Sequence, residues 1–334
     1  MAVIAYQPHL LYTSMEIFIS AEVENVNNFL QITTADKDAS PVVECVPNFS
    51  EGKNPKTVES IADCYRGKTG VKLLDYTMDA DHNRSVITAI GKPEALARAV
   101  FDSIKKASEL IDLSKHTGGH PRIGAADVIP FIPLHNMEMI DAVSLARSLG
   151  KRVGNELGIP VFLYEEAVES ENRKNLAAVR CGGFEGLEAK MRLTEWQPDF
   201  GPAQPHPTAG ACAIGARVPL CAFNINLYTD DLNIAKEIAR KIRFSSGGMK
   251  CCKAIGVMLK SRNQAQVSMN LTDYTQTAIW QAFEAVQTEA AHYNIGIASS
   301  ELIGLAPAKA LLDCAEHYLK LENFSVNKIL DFHI

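Results

Sequence analysis

The most restrictive feature of this chain is an order of apolar and helical segments that occurs twice. An apolar strand runs from Val42 to Val46, a turn covers Pro47 to Gly52, and Pro55 to Arg66 reads as a helix. Val71 to Tyr76 reads as a strand, Asp79 to Asn83 as a turn, and Ser85 to Ile90 as a returning strand ended by Gly91. Leu96, Ala97, Val100, Ile104, Ala107, Leu110 and Ile111 recur at helical spacing over 93–112, and a strand near Ala125 to Ile132 closes the unit. The order returns as strand Leu220–Leu227, helix Asp231–Arg243, strands Ala254–Leu259 and Ala265–Asn270, helix Thr275–Ala291 and strand Ile295–Ser299. Asp230 or Asp231 is a natural N-cap for the first of these helices, and Thr272 or Asp273 for the second. A helix over Ala306 to Tyr318 follows.

Two βαββαβ units predict an α/β (α+β) chain of two ferredoxin-like sheets backed by helices. The first is extended by a helix at 137–157 and a strand at 160–164, and the join falls near Pro219. The expected organisation is an extension over 1–41 outside the core fold, a first subdomain over 42–219 and a second over 220–334. No residue-level repeat links the halves, so the duplication is architectural. Residues 165–219 are poor in regular pattern. Within them, 196–210 hold four prolines and two glycines, which exclude a helix or a central strand. Such a loop is either a ligand site or a tether, and the anchors Trp196 and Phe200 favour a packed loop.

Composition narrows the partners. The chain has 334 residues, 47% hydrophobic and 22% charged, with a formal charge of −6 and no segment interleaving basic and aromatic residues. Nucleic acid is therefore not an expected partner, and an anionic ligand must meet a local cluster of Arg, Lys and backbone N–H groups. No window approaches a membrane span, and residues 1–41 lack the layout of a signal peptide. Eight cysteines without a C-x-x-C pair read as reduced core residues, including Cys45, Cys221 and Cys314, which points to a cytoplasmic setting.

The chemistry is expected in Lys-His-Thr-Gly-Gly-His-Pro-Arg-Ile-Gly-Ala-Ala-Asp, residues 115–127. His120 lies between Gly119 and Pro121, on backbone that neither neighbour lets form helix, and its ring can act as general acid or base. The alternative is a loop whose polar groups only satisfy buried backbone. A metal pair of His116 and His120 is disfavoured, because Gly118, Gly119 and Pro121 break the helix such a pair needs. No metal is expected, and His116 reads as a solvated or supporting residue. Asp79, Asp81, His82 and Arg84 form a second polar cluster, in which Arg84 either binds a carboxylate or forms a surface ion pair. The turn carrying Asn48 and Ser50 precedes a helix, so its amides can cradle an anion, although it lacks a Walker A ending. Asn224 and Asn226 alternate on an apolar strand, share one face and need partners there.

Five segments carry a resemblance: Val-Glu-Cys-Val-Pro-Asn-Phe-Ser-Glu-Gly (43–52), Asp-His-Asn-Arg-Ser-Val (81–86), Gly-Gly-His-Pro-Arg-Ile-Gly-Ala-Ala-Asp (118–127), Trp-Gln-Pro-Asp-Phe-Gly-Pro (196–202) and Ala-Phe-Asn-Ile-Asn-Leu (222–227). In this order they resemble the glutamate formimidoyltransferase family, in its stand-alone bacterial form, from about residue 42 to 330. The resemblance implies transfer of the formimidoyl group from N-formimidoyl-L-glutamate to N5 of tetrahydrofolate in histidine degradation. Tetrahydrofolate would be a co-substrate, the two subdomains would flank a substrate cleft or tunnel, and the chain would form a homodimer. The catalytic histidine carries over to His120, and the folate-binding loop to Gly201, Pro202, Ala203, Gln204, Pro205, His206, Pro207, Thr208, Ala209 and Gly210. Arg84 and Arg122 are expected to anchor substrate carboxylates, with Asn48, Ser50, Asn224 and Asn226 as polar lining. Gly119 stands where family members often have Glu or Gln, and the 1–41 extension lies outside the family pattern. An N-formyl-L-glutamate-dependent formyltransferase and a non-catalytic folate-binding protein are the alternatives.

Overall fold

A computed structural model describes residues 40–118, 121–168 and 173–333, which leaves the expected 1–41 extension almost wholly outside the described residues. Pro41–Lys320 forms one unit; residues 321–333 belong to another and contain two 3₁₀ turns, Val326–Lys328 and Leu330–His333.

The first sheet is built from β1 (Val42–Cys45), β2 (Asn48–Phe49), β3 (Val71–Asp79), β4 (Arg84–Gly91), β5 (Ala126–His135), β6 (Val161–Glu165) and β7 (Cys212–Ala216). β1 lies antiparallel between β4 and β5, with β3 outside β4, which is the ferredoxin-like order. Pro47 has no N–H to give the ladder, and β2 resumes between the same neighbours. Beyond β5 the sheet turns parallel, with β7 between β5 and β6. Parallel neighbours need crossovers. One is α3 (Met139–Leu157), which starts on a Glu138–Asp141 capping box and stops at Gly158 in the left-handed region. The other contains α4 (Leu176–Arg180) and α5 (Gly183–Met191).

The reading of 165–219 as poor in regular structure is therefore corrected: it holds two helices and a buried central strand. β7 escapes pattern recognition because Cys-Ala-Ile-Gly-Ala has no alternation, all five residues being buried. Gly215 has a specific cause, since a Cβ there would lie 2.6 Å from the Tyr164 ring.

Two helices join α3 on one face of this sheet. α1 (Pro55–Ala62) starts where Asn54 accepts the Lys56 and Thr57 amides, and α2 (Pro93–Leu110) buries Leu96, Val100, Ile104 and Ala107. α1 stops short of the expected Arg66 because the Cys64 and Tyr65 amides bond three residues back, turning Tyr65 inward to meet Ser103 Oγ at 2.7 Å. Ile87 and Ala89 of β4 enter the core beneath these helices, so Arg84, Val86 and Thr88 occupy the opposite face. A second core of Val128, Phe162, Tyr164, Val179 and Leu187 covers part of that opposite face.

The second sheet runs β11 (Ile297–Ile303), β8 (Cys221–Leu227), β10 (Gln264–Leu271), β9 (Cys252–Leu259), all antiparallel, again the ferredoxin-like order. Its core packs Ile225, Leu227, Val267 and Leu271 against α6 (Leu232–Ile242) and α7 (Ile279–Ala291), with Ala310 of α8 (Ala308–Leu319). Asp231 caps α6 as expected, accepting the Asn233 amide. The expected capping of the next helix at Thr272 or Asp273 is corrected: Asp273 binds the Thr275 amide and the Gln276 side chain, Thr277 donates to the Lys250 carbonyl, and α7 begins at Ile279. β11 runs to Ile303, beyond the expected Ser299, because it stays paired to Ala222 of β8. Cys45, Cys212, Cys221 and Cys252 are buried, whereas Cys181 is exposed and Cys64, Cys251 and Cys314 are half-buried, so not all eight are core residues.

The sheet faces away from the main helix layers are the ones that meet. Lys253, on the uncovered face of β9, binds Glu165 of β6 at 3.2 Å; Ser261 Oγ donates to Asp81 at 2.6 Å; and a Cβ on Gly304 would lie 3.8 Å from Thr88 Oγ1. Among the described residues no helix is long and apolar enough to cross a membrane.

The tightest backbone approach lies at Gly124, where a Cβ would sit 1.9 Å from the Ala211 carbonyl oxygen, while at Gly186 nothing lies within 4 Å. Gly124→Ala is expected to cost about 2–4 kcal/mol in chemical denaturation, by forcing the two segments apart. Gly186→Ala, in helix α5, is expected to gain about 0.5–1 kcal/mol. Equal effects at the two positions would refute the close-packing account.

Candidate functional site

The turn after β1 is held by its own side chains. Asn48 Nδ2 donates to the Val46 carbonyl at 2.9 Å, and its Oδ1 accepts from Arg84 Nε at 3.0 Å. Ser50 is buried, and its hydroxyl donates to the Gly124 carbonyl at 2.7 Å, which commits that proton to backbone. Gly52 passes so close to the β3–β4 hairpin that a Cβ would lie 2.1 Å from the Asp79 carbonyl oxygen. Its amide donates to Asn83 Oδ1 at 2.9 Å, and Asn83 adopts a left-handed φ of 48°.

Asp127 is the centre of the cluster. Asn48 pairs with Val128 while Phe49 pairs with Ala126, so Asp127 is the extra residue of a bulge that re-aims its side chain. The carboxylate is fully buried and accepts from Arg84 at 2.8 Å, Arg180 at 2.6 Å and the Ile123 amide at 2.8 Å. Burial pushes its pKa up, but Arg180 and Arg84 outweigh that and hold it at about 2. Arg84 moves the other way for a guanidinium, down to about 10, through burial first and Arg180 second, with Asp127 opposing. On the Asp127 side, then, the ion pair outweighs burial, and on the Arg84 side it does not. The charge count accounts for the difference: one carboxylate cannot neutralise two enclosed guanidiniums, and the cluster keeps an excess positive charge. Arg84 is thus not a surface ion pair. Arg180 carries no mark in the sequence, where 53 residues separate it from Asp127.

Residues 113–118 and 121–124 run beside this cluster. His116 is half-buried rather than solvated: its Nε2 lies 3.1 Å from the Asn83 carbonyl, so that nitrogen carries the proton. Burial first, and Arg122 nearby, lower its pKa, while the Asn83 bond opposes, so the ring is neutral near pH 7. Arg122 donates to the His116 carbonyl at 3.0 Å and to Glu185 at 2.8 Å, and its Nε is buried without a partner. His120, the expected acid–base residue, and Gly119 lie outside the described residues. An adjoining cavity of about 330 Å³ is lined by Ser50, Asn83, His116, Lys53 and Lys115 among others. Among the described residues no three His, Cys, Asp or Glu side chains converge as a metal set.

The loop 196–210 is packed, not a loose tether. The Lys190 ammonium sits 3.8 Å over the Trp196 ring, and Phe200 rests on Gly150. Gly201 takes a φ of 86° against Gly154. Further on, His206 and Gly210 exchange two backbone bonds of 2.9 Å, and His206 Nδ1 accepts the Ala209 amide at 3.0 Å. Leu113 N bonds to the Thr208 carbonyl, Ala125 N to Ala209 and Ala211 N to Ile123, which straps the loop along the 113–125 segment. Ala209 and Gly210 are buried in this seam; Gly201, Ala203, Gln204 and Pro207 are exposed, and Pro202, Pro205, His206 and Thr208 are half-buried.

Asn224 and Asn226 do not join this cluster. They lie on the uncovered face of the second sheet, where Asn226 pairs with Gln266 and Ser299, and Asn224 with Ser268 and Glu301.

Removing the Asp127 charge leaves two enclosed guanidiniums unopposed. Asp127→Asn is expected to lose about 3–5 kcal/mol of stability. An aspartate near ~3.9 in the unfolded chain but at about 2 when folded contributes stability that is complete above about pH 4 and lost as pH falls towards 2. Asp79, also held at about 2 by its bond to His82, titrates in the same window. Asp127→Asn should therefore flatten, not abolish, the fall in unfolding free energy between pH 4 and pH 2; an unchanged slope would contradict the assignment.

The family comparisons agree with this layout. The model for the formiminotransferase domain, N-terminal subdomain, matches residues 42–217, and that for the formiminotransferase domain matches 222–331. A relative from Streptococcus pyogenes serotype M1, glutamate formimidoyltransferase, is 48% identical over 294 residues, covering 88% of this chain and 98% of its own. The protein of that name from Thermoplasma acidophilum is 48% identical over 292 residues, covering 87% of this chain and 96% of its own. Mouse formimidoyltransferase-cyclodeaminase is 42% identical over 293 residues, which is 86% of this chain but 54% of that protein. Matched by both subdomain models and at near full length by stand-alone relatives, the chain belongs to the glutamate formimidoyltransferase family.

Proposed function

We propose that this chain transfers the formimidoyl group of N-formimidoyl-L-glutamate to N5 of tetrahydrofolate, giving 5-formimidoyltetrahydrofolate and L-glutamate. The observation that carries the reading is the 48% identity to stand-alone glutamate formimidoyltransferases along almost their whole length. The charge of the site supports it, because the enclosed excess cation of Arg84 and Arg180 over Asp127 matches a substrate rich in carboxylates.

In this reading N5 attacks the formimidoyl carbon to form a tetrahedral adduct. The N5 proton leaves, the glutamate nitrogen takes up a proton, and the bond from carbon to that nitrogen breaks. His120 performs both transfers as base and then acid, the role for which an imidazole side chain is generally suited. Arg84, with Arg122, anchors carboxylates, and the 201–210 loop binds the folate. Asn48 acts by steering Arg84, and Ser50 by holding the turn to Gly124. Holding both substrates in one site supplies much of the acceleration through orientation. The enzyme works as a homodimer in the cytoplasm.

Purified protein mixed with tetrahydrofolate and N-formimidoyl-L-glutamate should form the folate product, followed spectroscopically, while N-formyl-L-glutamate should not replace the donor. His120→Ala is expected to lower kcat by about 10²- to 10⁴-fold. Arg84→Lys should chiefly raise KM for the donor. No turnover with either donor would overturn the transferase reading; near-normal turnover of His120→Ala would overturn its acid–base role.

A further inference from the structure

The ammonium of Lys190, in the last turn of α5, is turned onto main chain. Its Nζ donates to the Ala178 carbonyl, to the Val179 carbonyl at 2.8 Å and to the Cys181 carbonyl at 3.2 Å, while it sits over the Trp196 ring. Burial, the largest influence on it, lowers its pKa. A lysine without such partners would keep its charge in water.

Those carbonyls close α4, a helix of five residues. A helix this short does not hold itself together, and its last carbonyls have no partner within it. At the other end Asn175 accepts the Ala177 amide. A lysine at the C-terminal end suits both the open carbonyls and the negative pole of the helix. The reach back is built into the chain. Gly182 and Gly183 take φ of 92° and 62° between α4 and α5, and Leu187 and Met191 pack in the same core as Val179. The clamped carbonyls bracket one residue, Arg180, whose guanidinium meets Asp127 at 2.6 Å.

We propose that Lys190 is a positioning residue for the transfer: it fixes the end of α4 so that Arg180 stays on Asp127 and leaves Arg84 bonding capacity for the donor. The inference rests on the transferase reading above and adds to it a residue that acts through Arg180. Asp127 is shared between two guanidiniums. When α4 frays, Arg180 leaves, Asp127 neutralises Arg84 alone, and the excess positive charge that meets a substrate carboxylate is lost.

The test pairs hydrogen exchange with steady-state kinetics. Lys190→Met keeps the aliphatic stem and removes the three donors. Exchange in a peptide covering 176–181 should then quicken by about tenfold or more, while β5 and α2 exchange as in wild type. KM for N-formimidoyl-L-glutamate should rise by about fivefold or more, with kcat and KM for tetrahydrofolate within about twofold of wild type. Lys190→Arg, which restores a charged donor, should recover most of the donor KM. In an Arg180→Met background, Lys190→Met should add nothing further, because the group it positions is gone. Lys190→Gln keeps a neutral donor, should show the same changes in smaller measure, and serves where the methionine variant does not fold. Unchanged exchange over 176–181 would overturn the clamp. Faster exchange with an unchanged donor KM, or a full additional loss in the Arg180→Met background, would overturn the positioning role and leave Lys190 a structural residue. A wild type without turnover removes the transferase reading; one that turns over with a donor KM indifferent to Lys190 removes this inference alone.

Discussion

Much of the site hangs on one carboxylate. Asp127 sits on the bulged start of β5, binds Arg84 at the start of β4, Arg180 at the end of α4 and the nearby amide of Ile123, and so ties together three pieces of chain distant in sequence. Taking these charges out of water is expensive, and a well-packed apolar cluster would hold the same segments as firmly. What an apolar cluster cannot supply is an enclosed guanidinium with bonding capacity to spare. The bulge is part of the same arrangement, since by strict alternation with Ile129 and Phe131 the Asp127 side chain would fall on the other side of the strand.

Around this carboxylate the backbone is drawn unusually close. Gly52 lies against the β3–β4 hairpin, and Gly124 and Gly210 lie against the Ala211 and Ile123 carbonyls. These contacts join the 47–52 turn, residues 113–118 and 121–125, and the 206–211 loop. Its hydrogen bonds run between main chains, with Ser50, Asn83 and His206 filling the remaining positions. A loop strapped this way has little conformational freedom left to lose.

The parts of this fold that can be read in advance are those whose signals are local. Both βαββαβ orders follow from periodicity and turn residues, and the α6 cap from Asp231 alone. β7 is hidden because its neighbours bury it on both faces, leaving small residues with no alternation. The start of α7 is misplaced because Asp273 makes the capping bonds of a turn instead of a helix. At the site, proline and glycine chemistry marks the 196–210 loop as irregular backbone, whereas the 115–127 run ends inside β5. Arg180 and Gln266 give no local sign, since each acquires its meaning from a partner 53 or 40 residues away. Ser50 reads in the sequence only as a hydroxyl in a polar turn, and its bond to the Gly124 carbonyl, 74 residues away, gives no local sign either.

The two sheets also divide the electrostatics. The first presents guanidiniums enclosed around a single carboxylate; the second presents amides turned by a carboxylate that Arg262 balances. The whole chain carries a formal charge of −6, so an anionic substrate gains little from the long-range field and must be held by local groups. The two faces therefore differ in kind: the first sheet offers spare guanidinium N–H groups, the second a buried acceptor, Gln266 Oε1, beside Glu301. A carboxylate placed against Gln266 Oε1 and Glu301 would meet only acceptors, so an anionic group is matched by the first sheet and not by the second.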